Sequence, residues 1–537
     1  MANIFKPPCD DGVVLGSAAA VPCAPRAEPW ILVATILGSS MAFIDGTVVN
    51  VALPALQQSF RATVLDVQWV VESYALFLAA LLLVGGSMGD RFGRRQVFCW
   101  GVAIFGLASV GCGLAGTIGQ LIFWRAVQGL GGALLVPGSL AIISASFDEE
   151  RRGQAIGTWS AFTAITAGIG PVIGGWLIEH MSWHAIFFIN APLALAVLVI
   201  AALRVPESRD DAESKSLDGL GAGLTTLGLG ALVYGLIESS RFGFGHVLVI
   251  GTLVIGALSL AIFLLVEAYA RNPMLSPALF RSRNFSGANL MTFFLYTALG
   301  GSMFFVPLNL IQVQGYSATA AGAAWVPFIL ILFFLSRWSG GLVQRYGAKL
   351  PLVAGPIVVA LGYALFTFSG SGGSYWTTFF PPVVVLGLGM ALSVAPLTTT
   401  VMNAVAKNRA GIASGVNNAV SRIGGLLGIA VLGIVIVHAF NRELDQRLEG
   451  LDISREVRRF IDEQRVRLAG AELPSGISDQ TQMALRQAVN ESFIAGFRIV
   501  MMSAVGLALA GALCALIMIG DRPVGKTAVA RSLVRSE

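Results

Sequence analysis

Charged residues are scarce in this chain. Lysine, arginine, aspartate and glutamate make up 12% of its 537 residues, whereas about a quarter of the residues in a soluble domain are charged. The sequence therefore cannot cover a water-exposed surface of ordinary size. It also lacks the short segments of alternating polar and apolar residues that are typical of a membrane β-barrel. A soluble globular protein and a barrel are both excluded.

Residues that bind metals, cofactors or nucleotides are few as well. The chain has four histidines, no phosphate-binding Gly-x-x-x-x-Gly-Lys-Ser/Thr loop, and no interfacial cluster of histidines and carboxylates of the kind that membrane enzymes use. The net charge of +5 requires no nucleic acid, because membrane proteins carry surplus lysine and arginine on cytoplasmic loops. We therefore expect no metal, no cofactor and no enzyme. The cysteines are scattered without metal-ligand or disulfide spacing, at Cys9, Cys23, Cys99, Cys112 and Cys514.

What the sequence has in abundance is apolar residues, at 55% of the chain. They occur in blocks of roughly 20 residues, the length at which a helix crosses about 30 Å of hydrocarbon. The prediction is an all-α polytopic membrane protein with fourteen transmembrane helices. The predicted spans are 30–53, 70–89, 97–115, 119–144, 153–178, 184–203, 217–238, 247–269, 286–311, 318–338, 350–369, 378–402, 410–437 and 496–519.

Positive charge orients these spans. Arginine and lysine concentrate in alternate loops, and the short loops between them hold little beyond Arg61 and Arg241. Because cytoplasmic loops carry the excess of positive charge, both termini are predicted to be cytoplasmic, in a multi-pass protein of the inner (plasma) membrane. The long polar loop 438–495 then lies outside. Leu444, Leu448 and Ile461 recur in it at helical spacing, so part of this loop is predicted to lie on the membrane surface.

Two loops with matching sequences reveal an internal repeat. Gly86–Arg95 follows the second span, and Gly340–Lys349 follows the tenth, with glycines and basic residues in register. Two parallel six-helix repeats with two helices inserted between them are therefore predicted, with a substrate site between the repeats near mid-membrane. The predicted segments are 1–29 (cytoplasmic tail), 30–203 (first bundle), 204–285 (inserted helices), 286–520 (second bundle) and 521–537 (cytoplasmic tail).

Five motifs in the same order resemble those of the major facilitator superfamily. They lie at Gly86–Arg95, Arg125–Ala133, Gly170–Gly175, Ile44–Pro54 and Ser182–Pro192. The last two are similar to motifs of the fourteen-span drug:proton antiporters, the QacA/EmrB-like multidrug exporters. The resemblance implies a major facilitator fold and export of drugs by proton antiport. Some exporters of this branch that take dications carry an acidic residue in the tenth span, and 318–338 has none.

Asp45 and Arg125 are the principal candidates for proton coupling. Counting 1.5 Å per residue places both at a similar depth within their spans, and a charge in hydrocarbon is costly enough to suggest function. Asp45 is the predicted proton carrier, with Arg125 as its partner. Two alternatives stay open: a static ion pair that orients helices, and hydrogen bonding of Asp45 to Thr47 or Asn50.

Further candidates line the predicted cavity. Glu72 is similar to QacA-like members in having an acidic residue at this position. It is predicted to take a proton or attract a cationic substrate, or to be an interfacial carboxylate. Arg422 is predicted to line the part of the substrate cavity formed by the second bundle, or to bond carbonyl groups as a structural arginine. Phe293 and Tyr296 are aromatic residues that either touch substrate or pack against lipid.

Two motifs are assigned to conformational change. The loop motif Gly86, Asp90, Arg91, Gly93 and Arg94 is predicted to form a cytoplasmic latch, with Asp90 pairing to Arg151 or Arg152 when the inner side is closed. The alternative for Arg94 is that a basic residue there only orients the protein in the membrane. The antiporter motif Gly170, Pro171, Gly174 and Gly175 is predicted to pack a tight, bent seam against proton leakage, or to be ordinary helix packing.

Taken together, the sequence predicts a proton-coupled antiporter that exports hydrophobic or cationic small molecules by alternating access. Its partners would be that solute, protons and the lipid bilayer, with any periplasmic adaptor left open. The alternatives are an exporter of an endogenous lipid-like metabolite and a membrane sensor that does not transport.

Overall fold

A computed structural model describes residues 28–209, 218–270, 277–405 and 410–520. Fourteen helices in these ranges are long and apolar enough to cross a membrane, which confirms the predicted number of spans and the all-α class. The predicted tails 1–29 and 521–537 lie outside the described residues except for Glu28 and Pro29.

The helices of the first eight spans follow in chain order. They are α1 (Glu28–Phe60), α2 (Val64–Phe92), α3 (Arg94–Gly113), α4 (Ile118–Ser146), α5 (Glu149–His180), the short α6 (Ala185–Phe188) with α7 (Asn190–Arg204), α8 (Gly219–Phe242) and α9 (Val247–Tyr269). The start of α2 is set by a capping box, in which Thr63 and Asp66 satisfy each other's backbone N–H groups. This helix begins six residues before the predicted span.

The remaining helices complete the second half. They are α10 (Arg283–Leu308) with a π-helical turn (Asn309–Val313), α11 (Ala318–Ala323), α12 (Val326–Tyr346), α13 (Lys349–Phe366), α14 (Tyr375–Thr378), α15 (Phe380–Asn403), α16 (Ala410–Glu449), α17 (Arg455–Gln464), a 3₁₀ turn (Arg465–Gly470) and α18 (Asp479–Met518). The predicted tenth span is divided between α11 and α12. Pro327, which lacks an N–H, follows this break.

The polar loop 438–495 is largely helical. α16 and α18 have 40 residues each, about 60 Å of helix, or twice the hydrocarbon thickness. Leu444, Leu448 and Ile461 are buried in protein, so the prediction that they lie on the membrane surface is wrong. The same helical spacing is expected whether the apolar face packs against lipid or against protein, and only the fold shows that it packs against protein.

Contacts group the chain into two units. The first contains Met1–Met274, Met303–Val326 and Ile429–Phe497, and the second contains Leu275–Ser302, Pro327–Gly428 and Arg498–Glu537. The second unit is held by close backbone approach of α13 and α15, because a Cβ on Gly362 would lie 2.8 Å from the nitrogen of Leu386. It also contains a hydrogen bond between Ser302 and Tyr363.

Glycines bring α4 close to its neighbours in the first unit. A Cβ on Gly131 would lie 2.6 Å from the nitrogen of Phe105 in α3, and one on Gly129 would lie 2.5 Å from the carbonyl oxygen of Tyr74 in α2. Small residues allow such close approach between membrane helices. Arg125, one turn before Gly129, is therefore brought against the neighbouring helices.

Candidate functional site

Asp45 and Arg125 form an ion pair inside the first unit. Asp45 is 0% exposed and Arg125 is 1% exposed, and the guanidinium Nη1 contacts carboxylate Oδ2. Thr47 donates to the carbonyl groups of Phe43, Ile44 and Ala167, and Asn50 donates to that of Gly46. Neither side chain is hydrogen-bonded to Asp45, so the alternative in which Asp45 bonds Thr47 or Asn50 does not hold in this structure.

Gln128 joins the pair to α3. Its Nε2 donates to Asp45 Oδ1 at 2.8 Å and to Ser109 Oγ at 2.7 Å, while its Oε1 accepts from Arg125 Nη1 at 2.7 Å. The carboxylate therefore has a second donor besides the arginine. Gln128 lies three residues after Arg125 on the same face of α4, a spacing that could have suggested its role, but nothing in the sequence pointed to Ser109.

Arg125 is held on its other sides by α2. Its Nε donates to the carbonyl of Val70 at 3.0 Å, and its guanidinium carbon lies 4.3 Å from the centroid of the Tyr74 ring. The Tyr74 hydroxyl in turn donates to the carbonyl of Ala42. A guanidinium with these contacts keeps partial compensation when the carboxylate becomes neutral. Arg125 is thus held in place by contacts that do not involve Asp45.

Glu72 lies deeper than predicted. Because α2 begins at Val64, this residue is two turns inside the helix, and it is 0% exposed. Neither carboxyl oxygen has a hydrogen-bond partner. One turn earlier, Gln68 donates to the carbonyl of Ile429 at 2.8 Å, and Trp69 packs on Tyr234 of α8. Glu72 is therefore surrounded by protein; its predicted roles, as a proton or cation site or as an interfacial carboxylate, stay predictions.

The latch motif makes different contacts from those predicted. Asp90 pairs with Arg94 one turn later, at 2.9 Å, whereas Arg151 pairs with Glu28 and Asp148. The predicted pairing of Asp90 with Arg151 or Arg152, expected when the inner side is closed, is not made in this structure and stays a prediction for that state. Arg91 stacks on Phe92, and Gly86 lies in ordinary contact with Pro137.

Glu207, which sequence reasoning missed, is the main partner of the latch backbone. Its carboxylate accepts from the backbone nitrogens of Arg95 and Gln96, both at 3.1 Å. A negative charge at the start of α3 satisfies exposed N–H groups and the helix dipole. Gly93 precedes this start with φ of +111°, and a Cβ on it would lie 2.7 Å from the Glu207 carboxyl carbon. Only glycine suits that position.

The glycine motif of α5 packs on two helices. A Cβ on Gly170 would lie 2.5 Å from Thr47 Oγ1, one on Gly174 would lie 2.0 Å from Val48 Cγ2, and one on Gly175 would lie 2.4 Å from the carbonyl oxygen of Ala318. Thr47 and Val48 belong to α1, and Ala318 begins α11. The motif therefore lies in a tight seam, in which side chains of α1 pack on Gly170 and Gly174 and the backbone of α11 packs on Gly175.

Pro171 leaves one carbonyl of α5 without its helical donor. Because proline has no N–H, the carbonyl oxygen of Ala167, four residues earlier, cannot be bonded in the usual way. Thr47 Oγ1 donates to that oxygen at 3.0 Å. Thr47, from the first-span motif, thus supplies the hydrogen bond that the proline of the fifth-span motif cannot give.

The second unit contains the other predicted cavity residues. Arg422 and Tyr296 are close enough to interact electrostatically, and a Cβ on Gly424 would lie 2.8 Å from the Phe293 carbonyl oxygen. Beside them, Asn417 donates to Asn289 Oδ1 at 3.2 Å and to Thr292 Oγ1 at 2.7 Å. Asn289 and Asn417, which the sequence analysis did not single out, form a polar contact between α10 and α16. Among the described residues, no cluster of His, Cys, Asp or Glu could hold a metal ion.

Known proteins with similar sequences are transporters. The family model described as Major Facilitator Superfamily matches residues 35–429. The chain is 34% identical over 499 residues to the tetracenomycin C resistance and export protein of Streptomyces glaucescens, covering 91% of this chain and 92% of that protein. It is 36% identical over 430 residues to the multidrug resistance protein Stp of Mycobacterium tuberculosis, with 79% of each chain covered.

A solved structure shows the same fold. The bacterial homologue of the human lysosomal transporter Spinster superposes with a TM-score of 0.65 at 18% identity, covering 92% of this chain and 97% of that one. The similarity to export proteins confirms the prediction of a transporter rather than an enzyme. With fourteen spans, a matching family model and relatives aligned over most of their length, the chain belongs to the Major Facilitator Superfamily as a drug exporter of the multi-pass membrane type.

Proposed function

We propose that the protein exchanges protons for hydrophobic or cationic small molecules, antibiotics among them, and exports them across the plasma membrane by alternating access. Both termini would be cytoplasmic, as the loop charges indicate. The observation that carries the proposal is the buried Asp45–Arg125 pair with its Gln128 bridge. Similarity to proteins named for resistance to tetracenomycin C and to multiple drugs supports the choice of substrate.

Asp45 carries the proton in this mechanism. When ionised, its carboxylate binds Arg125 and Gln128 and ties α1 to α4. A proton on Asp45 cancels its charge, so the ion pair weakens while Arg125 retains Gln128, the Val70 carbonyl and the Tyr74 ring. The two helices are then free to change their separation. Proton uptake on one side and release on the other couple this change to transport.

Glu72 is the second carboxyl in the proposal. An ionised group with no hydrogen bond in a buried place is unfavourable by several kcal/mol, so the buried state favours the neutral acid. One proton moving down 100 mV releases about 2.3 kcal/mol, and one pH unit adds about 1.36 kcal/mol. A second proton doubles this driving force for each exported molecule.

The Glu72→Gln variant tests the second proton. We expect the charge moved per molecule of an uncharged solute in proteoliposomes to be roughly halved, because one of two protons no longer crosses. Transport currents and solute flux measured together check this. The control is Glu449→Gln, which changes an exposed carboxylate of α16. Equal charge per solute in wild type and Glu72→Gln would limit the coupling to Asp45.

The proposed function is tested by efflux from whole cells. Cells that express the wild type are loaded with ethidium or tetracenomycin C, and efflux is followed with and without a protonophore. We expect efflux to stop with the protonophore and in Asp45→Asn, and to persist in Glu449→Gln. Efflux that ignores the protonophore, or full activity of Asp45→Asn, contradicts the mechanism. Wild-type cells that export neither compound would favour an endogenous lipid-like solute or a sensor.

A further inference from the structure

A cavity of about 400 Å³ lies in the first unit, where α1 and α5 end. Its walls are α1, the end of α5, the π-helical turn and the 3₁₀ segment that follows α17. Val51, Pro54 and Ile311 are among its apolar lining residues. The proposed orientation places this cavity on the outer side of the membrane. It is separate from the Asp45 pair, which lies further inside α1.

Two amides at this cavity are only half satisfied. Gln312 Nε2 donates to Gln57 Oε1 at 2.8 Å, and Gln57 is 5% exposed. The remaining amide atoms, Gln57 Nε2 and Gln312 Oε1, are buried and have no partner in the protein. Buried polar groups in native proteins are normally hydrogen-bonded. Both residues line the cavity, so its wall contains one amide donor and one amide acceptor that have no partner in the protein.

The charges around these amides are mainly positive. Arg467 and Arg486 line the cavity together with one carboxylate, Glu472, which gives a net charge of +1. Arg467 pairs with Glu472 at 2.7 Å, and Arg486 donates to the carbonyl of Ala471 at 3.2 Å. A cation entering here meets a repulsive field, whereas an uncharged or anionic solute does not.

Unusual backbone accompanies the cavity. Within the described ranges, Arg61 and Leu468 are the non-glycine residues with positive φ, at 50° and 54°. Arg467, next to Leu468, donates from Nη2 to the carbonyl of Arg61 at 3.2 Å. Strained residues persist where the surrounding structure holds them, and they concentrate at functional sites. The turn that carries Arg467 is thus fixed against the end of α1.

We infer that this cavity is an outer binding site for the exported solute, and that it selects uncharged or anionic molecules with an amide-like donor and acceptor pair. The solute would bond Gln57 and Gln312 while its apolar part packs on Val51 and Ile311. The inference rests on the proposed export function, and of the hydrophobic or cationic solutes named there it favours the uncharged hydrophobic ones at this cavity. It makes release of a lipophilic cation through this cavity unfavourable.

The electrostatic part is tested by labelling introduced cysteines in whole cells. Gln58→Cys lines the cavity, and Gly245→Cys is a control in open space in the loop after α8. Each reacts with an anionic sulfonatoethyl or a cationic trimethylammonioethyl methanethiosulfonate. We expect the ratio of anionic to cationic rates to be on the order of tenfold higher at position 58, and to fall to the control value when Arg467→Gln and Arg486→Gln are combined. Equal ratios at the two positions would overturn the inference.

The binding part is tested by protection of Gln58→Cys from the anionic reagent. Chloramphenicol, an uncharged amide, is expected to slow labelling, and Gln57→Leu or Gln312→Leu to abolish this protection. Ethidium should give none. Absence of protection by chloramphenicol, protection by ethidium, or protection that survives both leucine variants rejects the site. Chloramphenicol efflux measured in the same cells separates the two proposals. Efflux without protection of Gln58→Cys would contradict only the binding site, whereas protection without efflux would contradict the export function.

Discussion

Asp45→Leu is expected to lower the stability of the protein more than Arg125→Leu, although each removes one member of the same pair. Asp45→Leu leaves a buried guanidinium that cannot lose its proton, and breaking a buried ion pair in this way costs about 3–5 kcal/mol. Arg125→Leu leaves a carboxyl that can become neutral by binding a proton, so its cost is smaller. Thermal unfolding of purified protein in nanodiscs measures the order.

The double variant Asp45→Leu/Arg125→Leu provides the control. Because no unpaired charge remains, it should be more stable than Asp45→Leu while transport stays absent. If both single variants and the double variant unfold together, the pair contributes no charge interaction to folding. If the double variant still exports solute with protonophore sensitivity, the carrier is another group.

Gly175→Ala is expected to have the second largest effect. Its Cβ would lie 2.4 Å from the Ala318 carbonyl oxygen and 2.6 Å from Thr319 Cα, and backbone atoms cannot turn aside as a side chain can. Such overpacking typically costs about 1–3 kcal/mol. We expect a lower unfolding temperature and, if the seam seals the protein, proton leakage into proteoliposomes without solute.

The matched control is Gly157→Ala in the same helix, where an added Cβ meets no atom within 4 Å. There, alanine should be neutral or stabilise by roughly 0.5–1 kcal/mol, because it restricts the unfolded chain. A Gly175→Ala protein with lower stability but no proton leak would reduce the motif to ordinary helix packing. Equal behaviour of the two variants would contradict the close contact itself.

Some features of the candidate site could be predicted from the sequence, and others could not. The sequence predicts a similar depth for Asp45 and Arg125, because rise per residue is constant along a helix, but it does not show that the two side chains are in contact. Gln128 and Ser109 depend on the rotation of α4 and α3 about their axes, and Glu207 reaches the latch from more than one hundred residues away. Neither the rotation of a helix about its axis nor a contact between residues far apart in the chain produces a periodic pattern in the sequence.

Two differences between the sequence prediction and the structure have the same origin. Asp90 is predicted to pair with Arg151 or Arg152 when the inner side is closed, but here Asp90 pairs with Arg94 and Arg151 pairs with Glu28, and competition among several arginines cannot be decided without coordinates. Leu444 and Leu448 were assigned to the membrane surface, but they are buried in protein. An amphipathic helix shows that one face is covered and does not show by what.

The sequence by itself determined the class of protein, the number of spans and the superfamily. These follow from scarce charge, from apolar blocks of membrane-crossing length and from ordered motifs, all of which are local properties of the chain. Only the tertiary structure decided that Asp45 contacts Arg125 directly and that Gln128 bridges the two, that Glu72 has no hydrogen bond, and that Gln57 and Gln312 meet at an outer cavity. Those contacts join residues distant in sequence, and they depend on how the helices rotate and pack.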